Sequence, residues 1–225
     1  MTNTLHRYGD EESLRNDFIV FAIPCRGHND HDSVPKLRRF LRLASRHHPV
    51  NLGDGSRGGI YRPSKALNPL AHWRREGEPD FETVIEGVSS PTTVAAVFDN
   101  REAVEAFVAE LRQEDLGLSI NISALVDRAQ ECCEDVGLAR HSVEYSLGFM
   151  GKTDRLADRH VLELSTMCGH GMISFTFARK MIDWVKEGRR TPEQACGYLS
   201  RFCSCGVFNP TRAGEILERA RRRNS

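Results

Sequence analysis

Polar and mixed-charge residues fill positions 1–16, and a run of six apolar residues, Phe18 to Ile23, follows. That run predicts a buried strand over 17–24. Ser33 is placed to cap a helix whose apolar stripe is Leu37, Phe40, Leu41 and Ala44, with Arg38, Arg39, Arg42 and Arg46 on the other face. Pro49 stops it. Residues 49–80, rich in Gly, Pro and Arg, break the periodicity and predict a long loop, with room for a short helix around Ala66 to Arg75. Thr92 to Phe98 predicts a second strand, and Asn100 caps a helix with Val104, Phe107, Val108 and Leu111 on its face. Leu118 to Ile122 predicts a strand, Leu125 to Val136 a helix ended by Gly137, and Ser142 to Leu147 a further strand.

Beyond Gly151 the period-two pattern disappears. Asp158 to Met167 reads as helical. Ser174 caps a helix facing inward through Ala178, Met181, Ile182 and Val185. Thr191-Pro192-Glu193-Gln194 is a capping box with proline at the first helical position, and Asn209-Pro210 starts the last helix. Strand–helix–strand series favour parallel neighbours. The expected fold is therefore α/β, with a mainly parallel sheet and crossover helices, followed by a C-terminal helical subdomain. The boundaries are 1–151 for the α/β domain (17–48 first strand and helix, 49–90 long loop, 92–151 βαβαβ series) and 152–225 for the cysteine-containing helices.

The 225 residues suffice for a core without disulfide or metal. Lys plus Arg equals Asp plus Glu at 31 each, which argues against an electrostatic nucleic-acid binder despite the basic end Arg219 to Arg223. The longest apolar run is too short to span a bilayer, and no secretion signal pattern opens the chain. Seven cysteines, an odd number, point to a reducing compartment, and the expected localisation is cytoplasmic.

Cysteine placement carries the chemistry. Cys168-Gly169-His170-Gly171 and Cys203-Ser204-Cys205-Gly206 each fall between predicted helices, with glycines that let the backbone turn tightly. Cys196 lies seven residues before Cys203, two helical turns away. A tetrahedral zinc site would draw on Cys168, His170, Cys203 and Cys205. An iron–sulfur cluster would draw on Cys168, Cys196, Cys203 and Cys205. With only Cys168, Cys203 and Cys205 bound, one iron stays open as a Lewis acid. The competing reading makes these residues small buried hydrophobes.

A second candidate is the polar stretch Cys25 to Asp32, which leaves the first strand where open α/β sheets bind ligands. His28, Asp30 and Asp32 offer general acid–base groups there, or with His31 a divalent-metal site; a solvated loop that caps the next helix is the alternative. Lys152 and Arg57 are candidates to orient an anion. Gly53-Asp54-Gly55-Ser56-Arg57-Gly58 matches the spacing of a dinucleotide loop but lacks the strand-to-helix context, so a flexible loop is expected. The combined expectation is an enzyme of lyase or hydrolase type. Its iron–sulfur cluster or zinc ion would act on a small anionic metabolite, in a homo-oligomer or beside a partner subunit. A zinc-stabilised binding or assembly module and a thiol redox protein are the alternatives.

Overall fold

The computed structural model describes residues 7–55, 58–59, 80–203 and 205–222. The apolar run forms β1 (Phe18–Ile23), whose side chains alternate between two cores. Phe18, Val20 and Ala22 face one layer, and Ile19 and Phe21 the other. The next elements are α1 (Glu11–Leu14, before β1), α2 (Ser33–Ser45), β2 (Asn51–Asp54), β3 (Gly58–Gly59), α3 (Phe81–Gly87), β4 (Val94–Phe98), α4 (Arg101–Glu114), β5 (Ser119–Ser123) and α5 (Val126–Asp135). Four helices complete the chain: α6 (Arg159–Thr166), α7 (Phe175–Lys186), α8 (Pro192–Ser200) and α9 (Pro210–Arg222). Three expected caps are in place: Asn100, Ser174 and Thr191 each accept a backbone N–H three residues on, and Gln194 returns the bond to Thr191. Ser33 is instead the first residue of α2, and Asp32, which precedes it at φ 55°, makes no side-chain cap bond.

The sheet corrects the expected fold. Its order is β3-β2-β4-β1-β5, and every pairing is antiparallel. Because β1 and β2 both run against β4, they share a direction, and β4 and β5 likewise share one against β1. Each helical crossover thus joins two strands of like direction, but skips one position, and the other unit inserts its strand there. Two split βαβ units are interleaved. The sequence patterns show the crossovers and do not show the insertion.

Two further expectations change. The stretch read as a long loop contains β2, β3 and α3. Strand β2 escapes a periodicity argument because it is four residues long, and Asn51 and Asp54 are buried along with Leu52. The segment 142–147, expected as a strand, has no regular structure and joins no sheet. The short helix expected around Ala66 to Arg75 lies outside the described residues, as do Arg57 and Arg62.

One sheet face carries α2, α3 and α4, with Phe40, Phe98 and Phe107 packed ring against ring. The other face carries α6 to α9, where Met181, Leu199, Phe208, Ile216 and Leu217 pack over Ile19, Phe21, Ala95 and Val97. No helix among the described residues is long and apolar enough to cross a membrane.

Candidate functional site

Three of the four cysteines singled out in the helical part meet. The loop after α6 brings in Cys168, and the loop after α8 brings in Cys203 and Cys205; all three are buried. The sulfurs of Cys203 and Cys205 are 4.0 Å apart, and Cys168 lies close enough to Cys203 for each thiol to shift the other's ionisation. The set is a chain of thiols, 168–203–205.

Backbone groups are aimed at the same sulfurs. The N–H groups of His170 and Met172 donate to Cys168, and that of Val207 serves Cys203 and Cys205. Such donors favour the thiolate form. The hydrogen bond from Cys203 followed by burial holds the Cys168 thiol far above its ordinary value. In Cys203 the bond to Cys168 favours the thiolate, but the bond to Cys205 and burial prevail and raise it to about 11. Cys205 goes the other way: the hydrogen bond from Cys203 lowers it against the effect of burial, helped by the Val207 amide and the positive charge of Arg7. Cys205 is the member most ready to ionise.

The loops are held by contacts that do not announce themselves in sequence. Gly53 of β2 lies directly under the Cys205 carbonyl, and a Cβ there would overlap it. Gly206 faces Leu52 and Gly53 in return, at φ +70°, so a side chain meets both a steric and a conformational barrier. The glycines of the 53–58 string therefore lie in a β-hairpin, and Gly53 is small so that a cysteine loop can sit on it. This is not the strand-to-helix setting of a dinucleotide loop.

Arg7 ties both loops together. Its guanidinium donates to the carbonyl of Met167 (3.2 Å), next to Cys168, and to that of Val207, which follows Cys205. It also pairs with the buried carboxylate of Asp17 at 2.5 Å. Arg212 takes the other Asp17 oxygen at 2.9 Å, and Asn209 donates to Asp17 at 3.0 Å. Two guanidiniums thus share one carboxylate. Sequence reasoning missed Arg7, Asp17, Asn209 and Arg212, since they lie about two hundred positions apart along the chain.

A cavity of about 420 Å³ adjoins the cluster, lined by Ser165, Thr166, Cys168, Gly169, Ile173 and Phe175 among others. Among the described residues, none that lines it is charged. Ser174, the cap of α7, stands at its wall, which places the N-terminus of this 12-residue helix beside the cavity.

The other expected site residues stand apart from the thiols. Cys196 is buried between α8 and α9 and donates its S–H to the Pro210 carbonyl at 3.3 Å. The His170 side chain is exposed. Cys25 to Asp32 forms a solvated turn: Asn29 accepts from the Cys25 amide and donates to the Gly117 carbonyl, and Asp30 accepts from the Gly27 amide. His28 is exposed, and the His31–Asp32 pair at 3.1 Å is almost wholly in solvent. This turn is tied to the β5 side of the sheet, whereas the thiols sit on β2, three strand spacings or roughly 14 Å across. The acid–base stretch and the thiols are not brought together. Lys152 is exposed.

Among the described residues, no group of three His, Cys, Asp or Glu side chains is arranged as a ready metal cage. The thiol chain must exchange its S–H···S bonds for metal–sulfur bonds to become one. Little movement is needed at Cys203 and Cys205: a tetrahedral ion with bonds of about 2.3 Å sets its sulfurs about 3.8 Å apart. Comparison with protein families, with curated proteins and with solved structures finds no match.

Proposed function

We propose that Cys168, Cys203 and Cys205 hold a metal centre, a thiolate-bound zinc ion or an iron–sulfur cluster, and that the chain is an enzyme of lyase or hydrolase type. The observation that carries this reading is the meeting of three buried thiols from two loops, beside a guanidinium, Arg7, that shares the carboxylate of Asp17 with Arg212. Packing alone does not call for a cation and directed amides around small hydrophobes. A bound tris-thiolate centre carries negative charge, and these are the groups that would balance it.

Three protein ligands leave one position for substrate, and the cavity beside Cys168 is where substrate would reach it. Bound there, the centre would supply Lewis-acid polarisation of a substrate oxygen. The chain's own part is to seat the substrate. With no charged residue lining the cavity among those described, an anionic group of a small metabolite would be held by the first-turn amides of α7. His28, Asp30, Asp32 and Lys152 have no place in this arrangement.

Metal analysis and an absorption spectrum of anaerobically purified full-length protein test the reading. Stoichiometric zinc or iron is expected, falling at least tenfold in Cys205→Ser and unchanged in Cys196→Ser. A metal-free protein whose thiols bind neither added zinc nor reconstituted iron and sulfide overturns it. One observation favours a second reading: Cys203 and Cys205 are already in contact and Cys205 is inclined to ionise, as a redox pair requires. A reversible loss of two hydrogens between them on mild oxidation, in metal-free protein, would select it.

A further inference from the structure

The connector between α5 and α6 leaves its apolar residues in solvent. Residues 142–149 alternate strictly: Val143, Tyr145, Leu147 and Phe149 are apolar, and Ser142, Glu144, Ser146 and Gly148 fall between them. This is the pattern of a strand with one buried face. Yet Val143 is 46%, Tyr145 67%, Leu147 77% and Phe149 41% exposed. Among the described residues, no backbone hydrogen bond joins 139–147 to another element. Among the described residues, the segment is moored at its ends, by Arg140 on the Val126 carbonyl (3.5 Å) and by Phe149 against Tyr8 (ring centroids 5.7 Å).

The matching vacancy is on the same chain. Among the described residues, strand β5 ends the sheet and pairs only with β1, so its outer backbone groups have no partner strand there. Its pattern is the counterpart of the connector's: Ile120 and Ile122 pack on the core, and Ser119, Asn121 and Ser123 take the other face. A strand laid beside β5 with Val143, Tyr145 and Leu147 on the Ile120–Ile122 side would continue both faces without burying a polar side chain. Since each chain carries both the free edge and the unpaired segment, a two-fold exchange satisfies both through one kind of contact.

We propose that residues 142–147 of one copy add as a strand to the β5 edge of a second copy, reciprocally, and that the chain is a two-fold dimer. Area supports the choice of occupant. Val143, Tyr145 and Leu147 expose roughly 400 Å² per chain, within the size range of the largest apolar surface patches, which are often functional. Seating them covers a similar area of the receiving edge, and reciprocity brings the total to roughly 1,600 Å², the size of a stable interface.

Light scattering and amide hydrogen exchange on the full chain, kept reduced, test this. A mass twice 25.4 kDa is expected, with amides 143–147 exchanging about tenfold more slowly above the dissociation concentration than below it. Tyr145→Lys with Leu147→Lys, both at exposed positions, should halve the mass and leave the circular dichroism unchanged. A monomer with protected 143–147 amides overturns the proposal in favour of pairing with the chain's own β5. A monomer with unprotected amides overturns it in favour of a different partner or none. A dimer that survives the double substitution overturns it as well.

Discussion

Replacing Asp17 by asparagine removes one charge and almost no volume, so the cavity term that complicates most core substitutions is absent. Its carboxylate is nearly inaccessible and receives Arg7 at 2.5 Å, Arg212 at 2.9 Å and Asn209 at 3.0 Å. In Asp17→Asn two buried guanidiniums face a neutral amide, one of whose hydrogens points at a donor. Breaking a buried pair from one side costs about 3–5 kcal/mol. At roughly 2–4 °C per kcal/mol for a chain of this length, the melting temperature should drop by about 6–20 °C. A pH arm isolates the charge. Burial by itself pushes the Asp17 carboxyl up, but the facing Arg7 and Arg212 more than reverse this, so its folded pKa lies below the ordinary 3.8. A depressed carboxylate stabilises the fold fully above its unfolded pKa, and the contribution is lost as pH falls through the folded value. Urea unfolding at pH 7 should therefore show the full difference between wild type and Asp17→Asn, and the difference should shrink below about pH 4. A loss under about 1 kcal/mol at pH 7, or a difference that grows on acidification, would refute this account of the network.

Gly206→Ala should destabilise by about 2 kcal/mol or more, because its side chain meets β2 and its φ is positive. Gly171→Ala, also at positive φ but with open space around it, should cost only about 1 kcal/mol; urea midpoints of the two, side by side, separate steric overlap from backbone strain. Thiol labelling at pH 8 should modify the exposed Cys25 at once and spare Cys132 and Cys196. Desolvation raises both of the latter to about 12, leaving about one thiolate in ten thousand. Peptide mapping that finds either labelled along with Cys25 in native protein would contradict their burial. Thr191→Ala removes the 3.2 Å bond from the Gln194 amide to the Thr191 hydroxyl, leaves the reciprocal bond from the residue 191 backbone N–H to Gln194, and should cost about 1 kcal/mol by urea unfolding, with no change in the thiol cluster.

Legibility in the sequence follows the range of the interaction that decides each feature. Ser174, Thr191 and Asn100 mark helix starts because a cap bonds three residues away. Leu37, Phe40, Leu41 and Ala44 mark a buried face because a helix returns to the same side every 3.6 residues. The glycine-flanked loops of Cys168 and of Cys203 and Cys205 were equally visible. Strand β2 was not, because a carbonyl from residue 205 and the Asn51 side chain's bond to Phe208 bury it, rather than its own apolar pattern.

By itself, then, the chain determined where most of its helices and strands lie, which faces they bury, and that two cysteine loops sit beside helix ends. Tertiary structure alone decided that β4 enters between β1 and β2, that Cys205 joins Cys168 while Cys196 turns to Pro210, and that Arg7 and Arg212 converge on Asp17. Periods of 2 and 3.6 state which side of an element faces inward, and they are silent on which neighbour waits there. Strand order and the meeting of thiols are settled by contacts between residues far apart in the chain. Loop closure over such distances is compensated only when many of those contacts form together.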